Sequence, residues 1–462
     1  MNSKTLISLL KIKEAYGDFP ETVTNITMDS REVDEGSVFV AIRGYQVDGF
    51  DFIPQAIRSG CRFIVTDRHV ELPEGAGLLI VKDPEKVAAL FAEYIYDFPH
   101  ETQTMIGVTG TNGKTTVATM IHNLSRALGK NSAYLGTNGF MINEDRYGST
   151  NTTPETTRLH KRIQEAHERE TEVFTMEVSS HALGLGRTFG IEYDITIFTN
   201  LTQDHLDFHN TMDEYGYTKG LLFSQMGHNM KDRKYIVLNQ DDPWSARYRK
   251  MTPHEVITYG MTPDADFHPT DIEGTLEGFN FMLNTPEGAF HVESPYIGHF
   301  NIQNLMCAII SEWLQGYRLS RIIAAVGDMA PVEGRLEVLD KTLPIDIIID
   351  FAHTPDALDK IIDTIEPFVT QRLIFLVGMT GERDLTKARE MGRISTRADV
   401  AIFTPDNPAN DDPKMLVDAL AALSTLKAPV DALFDAVMVM HDDPTIRANR
   451  LGLLRQVADQ FR

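Results

Sequence analysis

Cysteine is almost absent from this sequence, where Cys61 and Cys307 are the only two among 462 residues. Two cysteines cannot build a disulfide framework or a cysteine-based zinc site, and a reducing cytosol fits their scarcity, so we expect a cytoplasmic protein. No apolar run approaches the roughly 18–20 residues that a membrane-spanning helix needs. Within the first 17 residues, Lys11 and Lys13 interrupt the apolar stretch and no small-residue cleavage site follows. This pattern predicts an amphipathic helix and no signal peptide.

Basic residues are few relative to acidic ones. The chain has 43 Lys and Arg against 66 Asp and Glu, which gives a net charge of −23. This excess disfavours binding of a polyanion over a broad surface, so we expect no nucleic acid partner, although one anionic small molecule can still occupy a local pocket. Hydrophobic residues make up 42% of the sequence, which excludes wholesale disorder, and its length corresponds to roughly two to four domains.

Short apolar runs bounded by Gly, Asp or Pro alternate with helical patterns along the chain. Strands that alternate with helices predict parallel sheets with crossover connections, and so an α/β fold. Polar joints at residues 99–103 and 331–335 divide the chain into three predicted α/β domains, 1–102, 103–331 and 332–462, and the alternation is expected to continue to about residue 328. The predicted strands include 37–42, 62–66, 77–82, 104–109, 345–350, 373–377 and 400–404, and a helix is predicted over 84–98.

A glycine-rich segment, Gly107-Val-Thr-Gly-Thr-Asn-Gly-Lys-Thr-Thr116, follows the strand 104–109 and opens a predicted helix over 117–128. A glycine-rich turn between strand and helix points backbone N–H groups into one concavity, where phosphate is favoured. The lysine can reach the β- and γ-phosphates, and the threonine after it can ligate Mg²⁺. The alternative is a glycine-rich connection with a surface lysine. The candidate ATP-binding residues are Thr109, Gly110, Thr111, Asn112, Gly113, Lys114, Thr115 and Thr116.

Two further polar segments follow apolar strand starts. In Phe174-Thr-Met-Glu-Val-Ser-Ser-His181, Glu177 lies at a predicted strand end, where it is well placed to ligate nucleotide-bound Mg²⁺. The second segment, residues 198–209, is rich in Asp and His, which are expensive to bury unless they serve a site. The ordinary alternatives are a solvated carboxylate and a polar surface loop.

The form GTNGKTT resembles the ATP-binding loop of the Mur ligase and folylpolyglutamate synthetase superfamily, whose members form amide bonds by phosphorylating a carboxylate. The two polar segments are similar to the MEVSSHAL and TNLTQDHLDFH patterns of the MurE type of Mur ligase. The resemblance implies that Thr115, Glu177 and His205 belong to a magnesium site. It also implies that Lys219 is carbamylated and becomes a ligand, whereas the ordinary alternative is a helix-surface lysine. The predicted catalytic residues are Lys114, Lys219 and His205.

The same resemblance assigns substrate-binding residues. The segment 28–50 resembles the signature of the UDP-binding domain, which folylpolyglutamate synthetases lack, so an N-terminal UDP-substrate domain precedes a central ATPase-like domain and a C-terminal Rossmann-like domain. The residues implied to bind the UDP-substrate are Ser30, Arg31, Asn151, Thr152, Thr153, Ser179 and Arg187. Those implied to lie near ATP beyond the glycine-rich segment are Asn301, Arg335, Asp350 and His353, and Asn301 could alternatively cap a helix.

Two segments of the third domain concern the incoming amine. Arg383 is the expected clamp for the α-carboxylate of an amino acid, and Asp406-Asn407-Pro408-Ala409 occupies the place of a D-N-P-x motif. Family members that add diaminopimelate carry Arg at the last position, where its guanidinium can fork onto the second carboxylate. Ala409 cannot make that contact, and Asp406 with Asp411 and Asp412 suits an ammonium. The motif therefore resembles that of lysine-adding enzymes.

The resemblance covers about residues 28–416 and implies an ATP-dependent ligase of peptidoglycan synthesis. The implied substrates are UDP-N-acetylmuramoyl-L-alanyl-D-glutamate, ATP with Mg²⁺, and L-lysine, joined through an acyl phosphate. After Leu416 the sequence lacks the G-K-G-[HR]-E-like segment that family members usually carry. Two alternatives therefore stay open: the same reaction with another diamino acid such as ornithine or diaminopimelate, and a nucleotide-binding relative without ligase activity.

Overall fold

A computed structural model describes residues 1–44, 47–148, 151–231, 233–339, 345–379, 381, 386–405 and 411–421, without the side chains at positions 207 and 386. The chain divides into two units. Unit 1 comprises Met1–Glu273, Asn280–Pro295 and Asn301–Glu333. Unit 2 comprises Gly274–Phe279, Tyr296–Phe300 and the described residues from Gly334 onward.

Residues 1–102 of unit 1 contain a five-stranded sheet of order β1-β5-β4-β3-β2, in which β2 to β5 run parallel and β1 is antiparallel to β5. The elements are α1 (Ser3–Leu9), β1 (Glu14–Gly17), β2 (Asn25–Thr27), β3 (Ser37–Val40), α2 (Ile53–Arg58), β4 (Phe63–Thr66), β5 (Gly77–Ile80) and α3 (Pro84–Tyr96).

The central strands of this sheet are buried on both faces. Successive side chains of a strand point to opposite faces, and in β3 Val38 and Val40 join the apolar cluster that includes α1 and α3. Phe39 joins a second cluster with Ile53 of α2 on the other face. Burial of both faces is typical of a parallel sheet with crossover helices, as the continuous apolar runs predict.

The N-terminal helix is shorter than predicted. Asn2 caps α1 by accepting hydrogen bonds from the backbone N–H groups of Lys4 and Thr5, and α1 ends at Leu9. Residues 14–17 of the same segment form β1, which pairs with β5 from Glu14 opposite Ile80 to Gly17 opposite Gly77. The prediction of one helix over this segment was therefore wrong, because pairing with a strand distant in sequence outweighs local periodicity.

The rest of unit 1 contains an eight-stranded sheet of order β13-β12-β11-β6-β10-β7-β8-β9. Its elements, and those of the following region, are β6 (Thr104–Thr109), α4 (Lys114–Ala127), β7 (Ser132–Gly136), β8 (Gly139–Ile142), β9 (Asp145–Tyr147), α5 (Thr156–Glu168), β10 (Val173–Glu177), α6 (Ser180–Gly184), β11 (Ile195–Phe198), α7 (Leu206–His209), α8 (Met212–Ser224), β12 (Tyr235–Asn239), α9 (Ser245–Tyr248), β13 (Glu255–Tyr259), β14 (His268–Thr275), β15 (Gly278–Thr285), β16 (Gly288–Ser294), α10 (His299–Leu314) and α11 (Leu319–Val326).

Strand β6 lies between β10 and β11, and all three run parallel. After β6 the chain continues to β7 on one side, and after β10 it crosses to β11 on the other side of β6. Such a change of direction opens a crevice at the carboxyl ends of the strands, where α/β proteins bind ligands. The predicted glycine-rich segment and Glu177 both lie at this edge.

Two predictions for this region need correction. Helix α4 begins at Lys114, three residues before the predicted start, because the glycines before it complete the turn. The region 268–294 forms a three-stranded sheet of order β14-β15-β16 with no helix between its strands, so the predicted alternation of strands and helices fails there. Here β15 alternates buried Phe279, Phe281 and Leu283 with more exposed residues, a period of two that predicts a sheet with one buried face.

The described part of unit 2 from Gly334 onward carries two small strand pairs, β17 antiparallel to β18 and β19 parallel to β20. Its elements are β17 (Glu337–Val338), β18 (Ile348–Ile349), α12 (Pro355–Ile365), β19 (Ile374–Met379), α13 (Thr386–Ser395), β20 (Val400–Pro405) and α14 (Pro413–Ala421). Leu358, Ile362, Met391 and Leu420 pack its helices on Val377 of β19. The α/β fold class is confirmed, while strand 345–350 is reduced to two residues.

Candidate active site

The turn between β6 and α4, residues 110–113, requires glycine at both ends. Gly110 has φ +150° and Gly113 has φ +88°, both in the region that L side chains rarely adopt. A Cβ atom on Gly110 would lie 1.8 Å from the hydroxyl of Thr199, and one on Gly113 would lie 2.9 Å from Oδ1 of Asn304. Because α4 begins directly after Gly113, the first-turn N–H groups of α4 point toward this turn, as phosphate binding requires.

A second loop, after β11, holds this turn. The backbone N–H of Asn112 donates to Oδ1 of Asn200 at 2.9 Å, and that of Thr111 donates to the Asn200 carbonyl at 2.8 Å. Thr199 Oγ1 donates to the Asn112 carbonyl at 2.6 Å. Sequence reasoning singled out the segment that contains Thr199 and Asn200 but not this role, because the adjacency of β11 and β6 cannot be read from one segment.

Two predicted catalytic lysines meet at one carbonyl oxygen. The Nζ atoms of Lys114 and Lys219 both donate to the Gly110 carbonyl, at 2.9 and 2.8 Å. Lys219 lies in α8, is 1% exposed, and its Nζ is 4.5 Å from the ring centroid of Tyr215. Burial and the Lys114 charge hold the pKa of Lys219 well below its usual value. Lys219 is therefore not the helix-surface lysine of the ordinary alternative.

Glu177 ends β10 and is fully buried. Its Oε1 accepts from the hydroxyl of Tyr134 at 2.7 Å and from the backbone N–H of Thr137 at 2.8 Å. Its Oε2 accepts from Oγ1 of Thr115 at 2.9 Å and from Oγ1 of Thr137 at 3.3 Å. The predicted metal ligands Thr115 and Glu177 are thus in direct contact, and the four donors compensate for the burial of the carboxylate.

His205 precedes α7 with a left-handed backbone, φ +53°. Its Nε2 lies 3.5 Å from Oδ2 of Asp204, and its ring is 4.8 Å from that of His181. Burial lowers the pKa of His205 to about 3, against the opposing charge of Asp204 and with added repulsion from His181, Lys114 and Lys219. A neutral imidazole near the two lysines can accept a hydrogen bond or serve as a metal ligand.

The segment 151–155 is tied to the end of β10. Thr153 is buried, its Oγ1 donates to the Glu177 carbonyl at 2.9 Å, and the backbone N–H of Ser179 donates to Thr153 Oγ1 at 3.1 Å. Arg187 Nη1 donates to the Thr153 carbonyl at 3.1 Å. The Oγ1 atoms of Thr152 and Thr137 are 3.0 Å apart. Of the predicted UDP-substrate residues, Thr152, Thr153, Ser179 and Arg187 therefore cluster beside Glu177, and Asn151 is exposed in the same segment.

The predicted residues near the N-terminus of the chain lie elsewhere in unit 1. Ser30 is buried and donates to Oε1 of Gln55 at 3.1 Å. Arg31 is exposed and its Nε and Nη2 donate to the two oxygens of Asp29 at 2.9 and 2.7 Å. Arg158 of α5 lies 3.5 Å from the same Asp29 carboxylate and also pairs with Glu32, so this ion-pair group joins the loop to α5.

The remaining predicted ATP-side residues divide between the units. Asn301 of unit 1 lies in the first turn of α10, where its Oδ1 accepts from Nδ2 of Asn304 at 2.9 Å. Because α10 begins two residues earlier, Asn301 is not its N-cap residue. In unit 2, Asp350 accepts hydrogen bonds at 2.8 Å from the N–H groups of Leu336 and Ala352, and burial raises its pKa against the charge of Arg335.

Two other predicted residues of unit 2 lie near Phe351. The guanidinium of Arg335 is 4.9 Å from the centroid of its ring, and Nδ1 of His353 is 3.0 Å from its carbonyl oxygen. The predicted amine-binding residues Arg383, Asp406, Asn407, Pro408 and Ala409 lie outside the described residues. Farther along the sequence, Oδ1 of Asp412 accepts from the N–H of Lys414 at the start of α14, so this carboxylate caps a helix.

Oxygen donors for a hard cation are present beside the turn. Among the described residues, no group of three or more His, Cys, Asp or Glu side chains is arranged to hold a metal ion. Mg²⁺, however, prefers a few protein oxygens and keeps several waters, so the Thr115 hydroxyl and the Glu177 carboxylate suit it. None of the helices in the described part of the chain has the length and apolar character needed to span a bilayer.

Comparison with known proteins identifies the family. Three family models match the chain: "Mur ligase family, catalytic domain" over residues 22–96, "Mur ligase middle domain" over 108–311, and "Mur ligase, glutamate ligase domain" over 334–447. The chain is 54% identical over 425 residues to a UDP-N-acetylmuramoyl-L-alanyl-D-glutamate--L-lysine ligase of Staphylococcus epidermidis, with 92% of this chain and 86% of the relative covered. The Staphylococcus aureus enzyme of the same name is 52% identical over the same lengths.

A solved structure is also similar. The structure of a UDP-N-acetylmuramoyl-L-alanyl-D-glutamate--2,6-diaminopimelate ligase is 28% identical and has a TM-score of 0.66, and the match covers 86% of this chain and 82% of that one. The three family models together span most of the chain, and the matches cover 86% of each staphylococcal relative. The predicted resemblance is confirmed: this chain is a member of the Mur ligase family.

Proposed function

We propose that this protein is the ATP-dependent ligase that adds L-lysine to the D-glutamate of UDP-N-acetylmuramoyl-L-alanyl-D-glutamate in peptidoglycan synthesis. The observation that supports it most is the arrangement at the carboxyl ends of β10, β6 and β11. There the turn 110–113, Lys114 and the Thr115–Glu177 pair adjoin the segment 151–155. A phosphate-binding turn and a polar substrate segment thus share one edge of the sheet. The names of the staphylococcal relatives support the choice of substrates.

In the proposed reaction, a γ-carboxylate oxygen of D-glutamate attacks the γ-phosphorus of ATP, and ADP leaves. The α-amine of lysine then attacks the acyl carbon of the acyl phosphate, loses a proton, and phosphate leaves from the tetrahedral intermediate. Phosphoryl transfer depends chiefly on positioning and charge stabilisation. The α4 N-terminus and Lys114 supply positive charge to the phosphates, and no nucleophilic side chain is required.

Thr115 and Glu177 are the residues that would hold Mg²⁺, which when bound neutralises phosphate charge. Lys219 would join them as a carbamate, formed when its neutral amine attacks CO₂ and releases a proton. Two features support this modification: the amine is buried beside a second ammonium, and the neutral form is favoured there. The carbamate nitrogen keeps one N–H, which can still donate to the Gly110 carbonyl.

The proposed domains are 1–102 for the UDP-sugar substrate, 103–331 for ATP, and 332–462 for the amino acid. The three family-model matches, 22–96, 108–311 and 334–447, support boundaries near residues 102 and 332. The break between the two units after Glu333 agrees with the second boundary.

Amino acid selectivity tests the proposal. We expect kcat/KM, measured by coupled phosphate release with product identification by mass spectrometry, to be at least about tenfold higher for L-lysine than for meso-diaminopimelate. The reason is that, at the place the D-N-P-x motif implies, Ala409 would offer the second carboxylate no partner and Asp406 would repel it. Equal or higher efficiency with diaminopimelate or ornithine would reassign the acceptor. Nucleotide binding without phosphate release, with any of the three amines, would favour a relative that has lost ligase activity.

A further inference from the structure

The guanidinium of Arg187 is held on two sides and unsatisfied on a third. Nη1 donates to the Thr153 carbonyl at 3.1 Å, and Nη2 pairs with Oε1 of Glu155 at 2.6 Å. Nε is buried and has no hydrogen-bond acceptor among the described residues. A buried donor without an acceptor is costly, so this atom marks a place where an acceptor belongs.

The Nε and Nη2 atoms of an arginine form one edge that suits both oxygens of a single carboxylate. Arg31 shows this use, since its Nε and Nη2 bind the two oxygens of Asp29. On Arg187 the same edge is half used, because Glu155 contacts Nη2 alone. Glu155 therefore occupies the position of one carboxylate oxygen, whereas a bound carboxylate could contact both Nε and Nη2 of Arg187.

The Glu155 side chain makes no other hydrogen bond or ion pair among the described residues. Glu155 is the residue before α5, yet its side chain makes no capping hydrogen bond to that helix. Its side chain is 41% exposed, against 20% for Arg187, so it can swing into solvent while the arginine stays fixed by Thr153. Glu155 can therefore leave the ion pair while the Arg187 guanidinium keeps its hydrogen bond to Thr153.

We propose that Glu155 is an internal competitor for the substrate: it occupies Arg187 in the free enzyme and is displaced when a carboxylate of the UDP-substrate takes the Nε–Nη2 edge. This inference rests on the proposed function, because it requires an anionic substrate that binds beside the segment 151–155. Glu155 touches no reacting atom and acts through Arg187, so it is a positioning residue. Its charge keeps the half-buried Arg187 guanidinium paired between turnovers, at the expense of substrate affinity.

The effect should appear in KM and not in kcat. Removal of the competing charge by Glu155→Gln should lower the KM for the UDP-substrate about two- to fivefold, the range expected for a partly exposed ion pair. The KM values for ATP and lysine and kcat should change less than about twofold, because the pair is broken in both the bound ground state and the transition state. Added salt should reduce the difference in the KM for the UDP-substrate between Glu155→Gln and wild type.

Glu165→Gln is the matched control. Glu165 lies on α5, pairs with Arg162 at 2.6 Å, and the exposures of this pair, 34% and 23%, are close to those of Glu155 and Arg187. Glu165→Gln changes the net charge by the same amount as Glu155→Gln but should leave the KM for the UDP-substrate unchanged. Glu155→Asp keeps the charge with a shorter reach, and its KM should fall between those of wild type and Glu155→Gln.

Equilibrium binding of the UDP-substrate without ATP, measured by calorimetry, completes the test. Tighter binding by Glu155→Gln and weaker binding by Arg187→Lys support the competition. An unchanged or raised KM for Glu155→Gln, in a variant with wild-type thermal stability, would overturn it. A destabilised Glu155→Gln with unchanged affinity for Glu155→Asp would also count against it. Failure of the proposed function is distinguishable, since the wild-type protein would then neither bind nor turn over the UDP-substrate.

Discussion

Helix α4 has a fully buried glutamate at each end, and the two differ in how their charge is compensated. At the amino end, Glu177 accepts four hydrogen bonds from Thr115, Tyr134 and Thr137. At the carboxyl end, Oε1 of Glu312 accepts from Ser125 of α4, whereas its Oε2 has no hydrogen-bond donor among the described residues. The first carboxylate has hydrogen-bond donors on both oxygens, and the second has a donor on one oxygen alone.

The surroundings of Glu312 explain why its pKa is raised. Burial raises its pKa to about 7, although the hydrogen bond from Ser125 and the charge of Lys130 oppose the shift. Gln315 lies nearby, but its Nε2 donates to the Ser311 carbonyl at 3.1 Å. Saturation with donors, more than burial itself, thus separates a carboxylate suited to a cation from one that costs stability.

The largest effect is expected at the amino end of α4. Lys114→Ala should reduce kcat for phosphate release at least about a thousandfold, because it removes the positive charge beside the transferred phosphate. Its melting temperature should stay close to that of wild type, since the Lys114 hydrogen bonds go to two loop carbonyls.

Lys130→Ala, at the opposite end of the helix, is the matched control for Lys114→Ala. Lys130 donates to Oε1 of Gln315 and lies over the ring of Tyr317, remote from the turn. Its kcat should remain near the wild-type value. Near wild-type turnover by Lys114→Ala would remove the phosphate-binding role from this turn.

The next largest effect is expected at Lys219, whose carbamate would be a second anionic group near Glu177 at the amino end of α4. If Lys219 is carbamylated, Lys219→Ala should lose most activity, about a hundredfold or more, and regain part of it with added formate or acetate, whose oxygens can replace those of the carbamate. Carbon-13 NMR after exchange with labelled bicarbonate should show a carbamate signal in the wild type alone.

Lys234→Ala controls for the loss of any buried lysine. Lys234 is 7% exposed, pairs with Glu192 and donates to the Met226 carbonyl. We expect its loss to lower thermal stability without rescue by carboxylates. A fully active Lys219→Ala with no carbamate signal in wild type would contradict the modification.

A smaller, pH-dependent effect is expected at Glu312. Its folded pKa of about 7 exceeds the usual 4.5, so the folded state binds more protons than the unfolded state between these values. The contribution of Glu312 to the free energy of unfolding therefore falls as pH rises from about 4.5 to 7, by up to about 3 kcal/mol. Above pH 7 this contribution is constant. Glutamine does not titrate, so Glu312→Gln does not lose stability in this way. The unfolding free energy of Glu312→Gln minus that of wild type should therefore be larger at pH 8 than at pH 5.

Chemical denaturation at both pH values measures this difference, and kcat should not change. Glu144→Gln, which alters an exposed pair with Arg126 of α4, should show no such pH dependence. If wild type and Glu312→Gln respond equally to pH, Glu312 is already ionised in the folded protein at neutral pH.

At the amino end of α4, the sequence could predict one part of the site and not another. The turn 110–113, Lys114 and Glu177 were predictable because each lies next to a strand end in its own segment. Their hydrogen-bond partners Tyr134, Thr199 and Asn200 were not, because these residues reach the site through the order of β7, β10, β6 and β11 in the sheet. Strand order depends on tertiary packing that a single sequence does not display.

The burial of Lys219 left a signal that sequence reasoning did not use. Gly216 and Gly220 flank it on α8, where Cβ atoms would lie 2.3 Å from the ring of Trp244 and 2.7 Å from Cε of Met251. Two glycines inside a helix cost stability and indicate close packing. Their spacing of four residues places them on one face, so α8 is covered there and not exposed.

The smallest effects should come from removing one donor at each end of α4. Tyr134→Phe deletes one of four donors to Glu177, and Ser125→Ala deletes the hydroxyl that donates to Glu312. Each should cost about 1 kcal/mol of unfolding free energy at pH 8, the usual net value of one hydrogen bond. The cost of Ser125→Ala should shrink at pH 5, because a protonated Glu312 needs no donor. Tyr134→Phe should also lower kcat several-fold, since Glu177 is loosened beside the proposed cation, whereas Ser125→Ala should leave kcat unchanged. Equal kcat values for both variants would show that the donors around Glu177 serve the fold alone, and the distinction between the two carboxylates would then be one of stability.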